Sequence, residues 1–185
     1  MLIDAPISGR PAELLHGQVA LFVGGAPDIL APLGPVLDAL GHSVAVGPTG
    51  SAAAMKLGVN AVVFGLVAAV SECLALTTAA GVEPGLAYDV LRSSAVASTF
   101  IDLRRGFFVE DPPPPVQFSM KATQETLELI AQAASEAGVV LPQTATNLAT
   151  TRAAVESGRA ADDVTRLSHF LISSRSTPAT EGSPT

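Results

Sequence analysis

The chain has 185 residues, 48% apolar and 15% charged, with a mean hydropathy of +0.44; this composition supports a buried core and excludes a disordered chain. Seventeen acidic against ten basic residues give a net charge of −7, which repels phosphate backbones and anionic bilayers, so neither nucleic acid nor a membrane surface is expected as a partner. A single cysteine, Cys73, excludes an internal disulfide and a cysteine-based zinc site, fits a reducing cytoplasm, and sits in a helical stretch where it reads as a small buried hydrophobe.

The first residues, Met1 to Pro6, lack the basic region and long apolar core of a secretory signal. Leu2-Ile3-Asp4 predicts a short strand that stops at Pro6. Gln18 to Val23 predicts a second strand, closed by Gly24-Gly25. From Pro27 to Leu40, Ile29, Leu30, Leu33, Val36, Leu37 and Leu40 follow helical spacing, with Pro32 and Pro35 as interruptions and Gly41 as the stop. Ser43 to Val46 predicts another strand, closed by Gly47-Pro48. Strand, helix, strand in this order predicts part of an α/β sheet with at least one open edge.

After Gly50 the pattern changes. Ser51 to Ala80 contains no proline and is apolar nearly all round. It predicts a helix about 45 Å long, buried on most faces and stopped by Gly81. Its longest uncharged apolar run, Leu57 to Val70, falls short of the roughly 20 residues a membrane span needs, so a core helix is expected. Further helices are predicted over Pro84 to Leu91, Ser98 to Arg105, Ser119 to Ala137 with Gly138 as its stop, Thr144 to Ser157 and Ala161 to Ile172. Pro112 to Pro115 predicts a stiff extended connector. The expected domains are an α/β piece at 1–48, an all-helical domain at 49–173 and a disordered, Ser- and Thr-rich tail at 174–185.

Three segments carry candidate chemistry. Asp4-Ala5-Pro6-Ile7-Ser8-Gly9 follows a predicted strand and offers the Ser8 hydroxyl and the Gly9 amide, a turn able to hold a carboxylate. Gly47-Pro48-Thr49-Gly50 leads into Lys56, with Asn60 four residues on and on the same helix face. An ammonium in a partly dry cleft beside an amide can donate a proton; the alternative is a lysine whose stem lies on apolar surface while its head reaches water. Lys121 opens a later helix after Gln117-Phe118-Ser119-Met120, where it also reads as a solvated surface lysine. His16, His42 and His169 have no metal-ligand spacing, and no metal site is expected.

In order and spacing these segments resemble the β-hydroxyacid dehydrogenase family, of 3-hydroxyisobutyrate dehydrogenase and tartronate semialdehyde reductase type, from Leu2 to about Leu171. The family's substrate motif resembles Asp4 to Gly9 followed by Arg10. Its catalytic motif is matched by Gly47, Gly50, Lys56 and Asn60. Its later Lys-Asp pair is matched at Lys121 only. The resemblance implies a mostly α fold, in which the remnant of an α/β Rossmann sheet precedes a helical domain like the C-terminal domain of 6-phosphogluconate dehydrogenase. It implies hydride transfer between NAD or NADP and a small β-hydroxyacid. Lys56 would pass the proton, Asn60 would bond the lysine or the substrate, Ser8, Gly9 and Arg10 would hold the substrate carboxylate, and Lys121 would lie near the nicotinamide. A homodimer through the helical domain is implied as well.

The departures bear on activity. Arg10 stands where the family has a second glycine, Ala52 replaces a glycine of the catalytic turn, and Ala122 replaces the acidic neighbour of Lys121. No two glycines are separated by a single residue, so no Gly-x-Gly-x-x-Gly exists to cradle a pyrophosphate. The chain is therefore expected to be the C-terminal portion of such an oxidoreductase, inactive alone. A separate N-terminal Rossmann chain is a candidate partner. A non-catalytic dimerisation module or degraded paralogue is the alternative. The related imine reductases share the architecture but usually place another residue where Lys56 sits.

Overall fold

The computed structural model describes residues 2–9 and 11–174. Arg10, one of the expected substrate contacts, and the expected tail from residue 175 on lie outside the described residues. By internal contact the chain forms two compact units, one running up to Val63 and including Glu128–Leu141, the other comprising Phe64–Leu127 and the residues from Pro142 on.

The first unit holds a three-stranded sheet in the order β1 (Ile7–Ser8), β2 (Val19–Gly24), β3 (Gly41–Gly47), with β1 antiparallel and β3 parallel to β2. The first strand is displaced from its predicted place. Asp4 only bridges to Gly24, and the strand proper forms over Ile7–Ser8, where a ligand-holding turn was expected. A short helix α1 (Pro11–Leu15), absent from the sequence reading, follows. Alternate residues Val19, Leu21 and Val23 of β2 point to one side and are buried against Leu37, Leu30 and Leu33. The helix predicted over Pro27 to Leu40 is divided into α2 (Pro27–Leu30), a 3-10 turn (Ala31–Leu33) and α3 (Gly34–Leu40). Pro32 and Pro35 have no N–H to give, so the hydrogen-bond ladder changes register while the backbone at Ala31 and Gly34 stays right-handed helical.

α4 (Ser51–Ala79) contributes to both units, as does α7 (Met120–Glu136). Both helices stop at the predicted glycines. Gly81 and Gly138 take positive φ, and the amides of Val82 and Val139 reach back five residues to the carbonyls of Thr77 and Ala134. α4 departs from expectation in its coverage: Val62 and Leu76 are 65% and 73% exposed, and Met55 is exposed too. A helix apolar on every face has no polar side to turn outward, and this chain alone does not cover all of it. By length and composition α4 is also long and apolar enough to cross a membrane.

The second unit packs Val67, Val70 and Leu74 of α4 with Tyr88 of α5 (Pro84–Arg92), Ile101 and Phe108 of α6 (Thr99–Val109), Met120 of α7, and Val164 and Leu167. α6 runs four residues past its predicted end because Gly106 is tolerated inside it. Ser98 caps its start, accepting from the Ile101 amide at 3.4 Å. After α8 (Pro142–Ala154) the helix predicted from Ala161 begins only with a 3-10 turn at Val164–Arg166 and α9 (Leu167–Ser173). Asp163 accounts for the delay. Its carboxylate is buried and accepts from the amides of Gln117 at 2.9 Å, Phe118 at 3.3 Å and Thr165 at 3.1 Å, and from the Thr165 hydroxyl at 2.8 Å.

Removing that carboxylate leaves buried donors without acceptors. Asp163→Ala is expected to lower the unfolding free energy by about 2–4 kcal/mol, measured by urea denaturation. A loss below about 0.5 kcal/mol would show that the segment before α7 does not depend on it.

Candidate functional site

The site is built where the first residues meet the start of α4. The first amides of a helix have no acceptor within it; here the Ser51 amide bonds back to the Pro48 carbonyl at 3.0 Å, and those of Gly50 and Ala53 need another partner. The carboxylate that satisfies them comes from Asp4: the Gly50 amide donates to Oδ1 at 2.8 Å and the Ala53 amide to Oδ2 at 2.8 Å. These backbone bonds hold the Asp4 carboxyl below its ordinary value of 3.8. Close by, the Thr49 hydroxyl donates to the Leu2 carbonyl at 2.9 Å. Gly24 makes the approach possible: a Cβ there would run into Asp4 Oδ1 and come within 2.9 Å of the Pro48 carbonyl.

One turn into the helix, Lys56 enters a cleft of about 410 Å³, lined by Pro6, Ala53, Lys56 and Leu57 on one side and by Leu129, Gln132, Ala133 and Glu136 of α7 on the other. All eight residues belong to the first unit. The Lys56 amine is half-buried and has no hydrogen-bond or ion-pair partner among the described residues. Loss of water around it lowers its pKa from the ordinary 10.5. Asn60 lies one turn further on, half-buried. It makes no hydrogen bond to Lys56 and does not line the cleft. On the facing wall the Gln132 amide donates to Glu136 Oε1 at 2.8 Å.

The other expected contacts are placed differently. Ser8 pairs with Ala20 in the sheet and does not line the cleft. The close approach at Gly9 is to its own chain: a Cβ there would stand 2.8 Å from Val19 Cγ1. Lys121 belongs to the second unit, 51% exposed, with Glu125 at 3.6 Å as its partner one turn on. Ala122, which replaces an acidic residue, donates its amide to the Ser119 hydroxyl at 3.1 Å. Ala52, which replaces a glycine, is fully buried. Among the described residues no cluster of side chains could hold a metal.

Sequence reasoning missed Asp4 as a helix cap, because cap rules look at the residue just before the helix and this one lies 46 residues away from Gly50. It also missed the Gln132 and Glu136 wall. The spacing of four residues put both on one face of α7, but nothing local said which face met Lys56.

Residues 50–171 match the family model described as NAD-binding of NADP-dependent 3-hydroxyisobutyrate dehydrogenase, and residues 1–47 match that of the NAD binding domain of 6-phosphogluconate dehydrogenase. The chain is 28% identical over 145 residues to the 2-(hydroxymethyl)glutarate dehydrogenase of Eubacterium barkeri, covering 77% of this chain and 48% of that one. It is 27% identical over 145 residues to the 2-hydroxy-3-oxopropionate reductase of Escherichia coli, covering 78% and 49%. Among solved structures, a 3-hydroxyisobutyrate dehydrogenase from Salmonella typhimurium superposes with a TM-score of 0.81 at 25% identity, over 91% of this chain and 59% of that one. The chain thus spans about half the length of these two curated relatives.

Lys56 and Lys121 are the only lysines in the sequence, so their signals can be assigned after reductive methylation with ¹³C. Lys56 is expected to titrate below 10.5. The folded chain then holds this proton less tightly than the unfolded chain. Unfolding free energy should therefore rise with pH between the folded pKa and 10.5, and Lys56→Met should flatten that rise. An amine titrating at or above 10.5 would place Lys56 in bulk water.

Proposed function

The chain belongs to the β-hydroxyacid dehydrogenase family, and from that premise we propose that it carries the proton-transfer half of an NAD(P)-dependent oxidoreductase acting on a small β-hydroxyacid. The observation that carries this reading is the Lys56 amine, half-buried, unpartnered among the described residues and facing a cleft walled by Pro6 and α7. Bound NAD or NADP would supply the hydride chemistry of such a reaction. Lys56 handles the proton. In oxidation its neutral amine accepts the hydroxyl proton as the carbon–oxygen double bond forms; in reduction its ammonium gives that proton back to the carbonyl oxygen. The lowered pKa brings the neutral form within reach at milder pH than an exposed lysine would allow. Asn60 is assigned a hydrogen bond to substrate or to Lys56 in the occupied site. Ser8 and Gly9 are the candidates to meet the substrate carboxylate, with Lys121 toward the nicotinamide.

The residues described fit the proton end of such a site and do not fit its pyrophosphate end. Where β2 leads through Gly24-Gly25-Ala26 into a helix, that helix is four residues long and opens on Pro27, which has no amide hydrogen to offer. At the start of α4 the Gly50 and Ala53 amides are taken by Asp4 and the Ser51 amide by the Pro48 carbonyl. We therefore read these 185 residues as catalytically silent by themselves, and as cytoplasmic. Lys56 and Asn60 on the N-terminal half of α4, and Glu72 on its C-terminal half, support reading it as a helix packed in protein rather than lipid. Ala52 and Ala122, standing at family positions of other chemistry, favour the second reading, a helical module without catalysis.

Two titrations separate the readings. NADH and NADPH fluorescence should show no micromolar binding to this chain; saturation there would refute the missing pyrophosphate site. A small β-hydroxyacid at millimolar concentration should shift the magnetic resonance signals of Lys56 and Asn60. Unmoved signals would leave the non-catalytic module. In the same reading a second copy covers Val62 and Leu76, so light scattering should report twice 18.7 kDa. A clean monomer would contradict that.

A further inference from the structure

We propose that Asp4 is the positioning residue of this site, its carboxylate fixing where Lys56 stands in the cleft. The proposal rests on the reading of Lys56 as the proton-transfer group.

The physical path is short and made of named bonds. Asp4 is tied to β2 through its own backbone, with its amide 3.1 Å from the Gly24 carbonyl and its carbonyl 2.8 Å from the Gly24 amide. Pro6, two residues on, is held by the Phe22 amide at 3.1 Å and forms part of the cleft wall. From the same anchored segment the Asp4 side chain reaches the first turn of α4 and binds the amides of Gly50 and Ala53, each at 2.8 Å. Ala53 lines the cleft, and Lys56 stands three residues later on the same helix face. One three-residue stretch, Asp4 to Pro6, thus sets both the wall and the helix that carries the amine. Two bonds to different amides fix both position and direction, which the single neutral bond from Thr49 to the Leu2 carbonyl cannot do.

The arrangement also settles what the start of α4 does not do. A helix N-terminus attracts anions through its unpaired amides. Here the carboxylate of the chain itself already occupies them, so a substrate carboxylate has to be met elsewhere, away from Gly50 and Ala53. That keeps the incoming anion from displacing the helix that positions the proton donor.

Burial is what lowers the Lys56 pKa; Glu136 of α7 lines the same cleft, and Asp4 sits at the foot of α4. Charge and position make opposite demands, which makes the test decisive. If Asp4 mattered only by its negative charge, removing it would loosen the proton on Lys56 further. If Asp4 positions the helix, removing it frees the first turn, admits water and lets the amine titrate closer to 10.5.

The experiment is the ¹³C-methyl titration of the full chain in three forms: unaltered, Asp4→Ala and Asp4→Asn. The Lys121 signal serves as the internal control. The expected result is an upward shift of the Lys56 midpoint in Asp4→Ala and a smaller upward shift in Asp4→Asn, which keeps one accepting oxygen. A Lys56 midpoint that stays in place, or moves down, in both variants overturns the proposal, whatever happens to the melting temperature. Should Asp4→Ala fail to fold, the near-isosteric Asp4→Asn decides alone by the same readout. Because the measurement reads placement and not turnover, its failure is distinct from that of the dehydrogenase reading. That reading fails instead if a β-hydroxyacid leaves the Lys56 signal of the unaltered chain unmoved.

Discussion

A helix must end somewhere, and its first amides need acceptors that its own backbone cannot supply. In this protein the need is met from far along the chain: a carboxylate at residue 4 receives the amides of residues 50 and 53. Most of the first unit follows from that contact. It requires a glycine at position 24, because no side chain fits between the strand and the carboxylate. It requires the segment from Asp4 to Ser8 to lie extended along β2, which is why the sheet gains an antiparallel strand there. And it places the Lys56 amine beside Pro6 rather than out in solvent.

The contact is electrostatic, so it carries a pH dependence of definite sign. Hydrogen bonds to the ionised form lower the folded pKa of Asp4 below 3.8. Its contribution to stability is complete above that value and is lost as pH falls through the folded pKa. Lys56 works in the opposite range. Its proton is held less tightly in the folded chain, so the cost of keeping it charged fades as pH rises toward 10.5. Between the two folded-state midpoints the helix start is clamped and the amine is protonated.

Elements that local pattern decides were legible in the sequence; those that depend on distant partners were not. The strand over Gln18 to Val23, the unbroken run of α4, and the glycines at 81 and 138 each rest on signals within a few residues, and the structure has them as read. The delayed start of α9 was not legible, because Asp163 serves the backbone of Gln117 and Phe118, some 45 residues upstream. The same limit applied at the site. Lys56 and Asn60 stood out by their spacing on one face. Asp4 opens a motif whose serine and glycine offer the obvious ligand groups, yet its own carboxylate is the group with distant partners. At Gly9 the missing side chain leaves room for Val19, a packing role that local sequence does not show.

The central claim is that the Asp4 carboxylate holds the start of α4, and the direct measurement is a magnetic resonance pH titration of three nuclei at once: the Asp4 carboxyl carbon and the amide protons of Gly50 and Ala53. The account expects the carboxyl to titrate below 3.8 and both amide protons to shift with the same midpoint. A carboxyl titrating at or above 3.8, with amide protons that ignore it, would contradict the account.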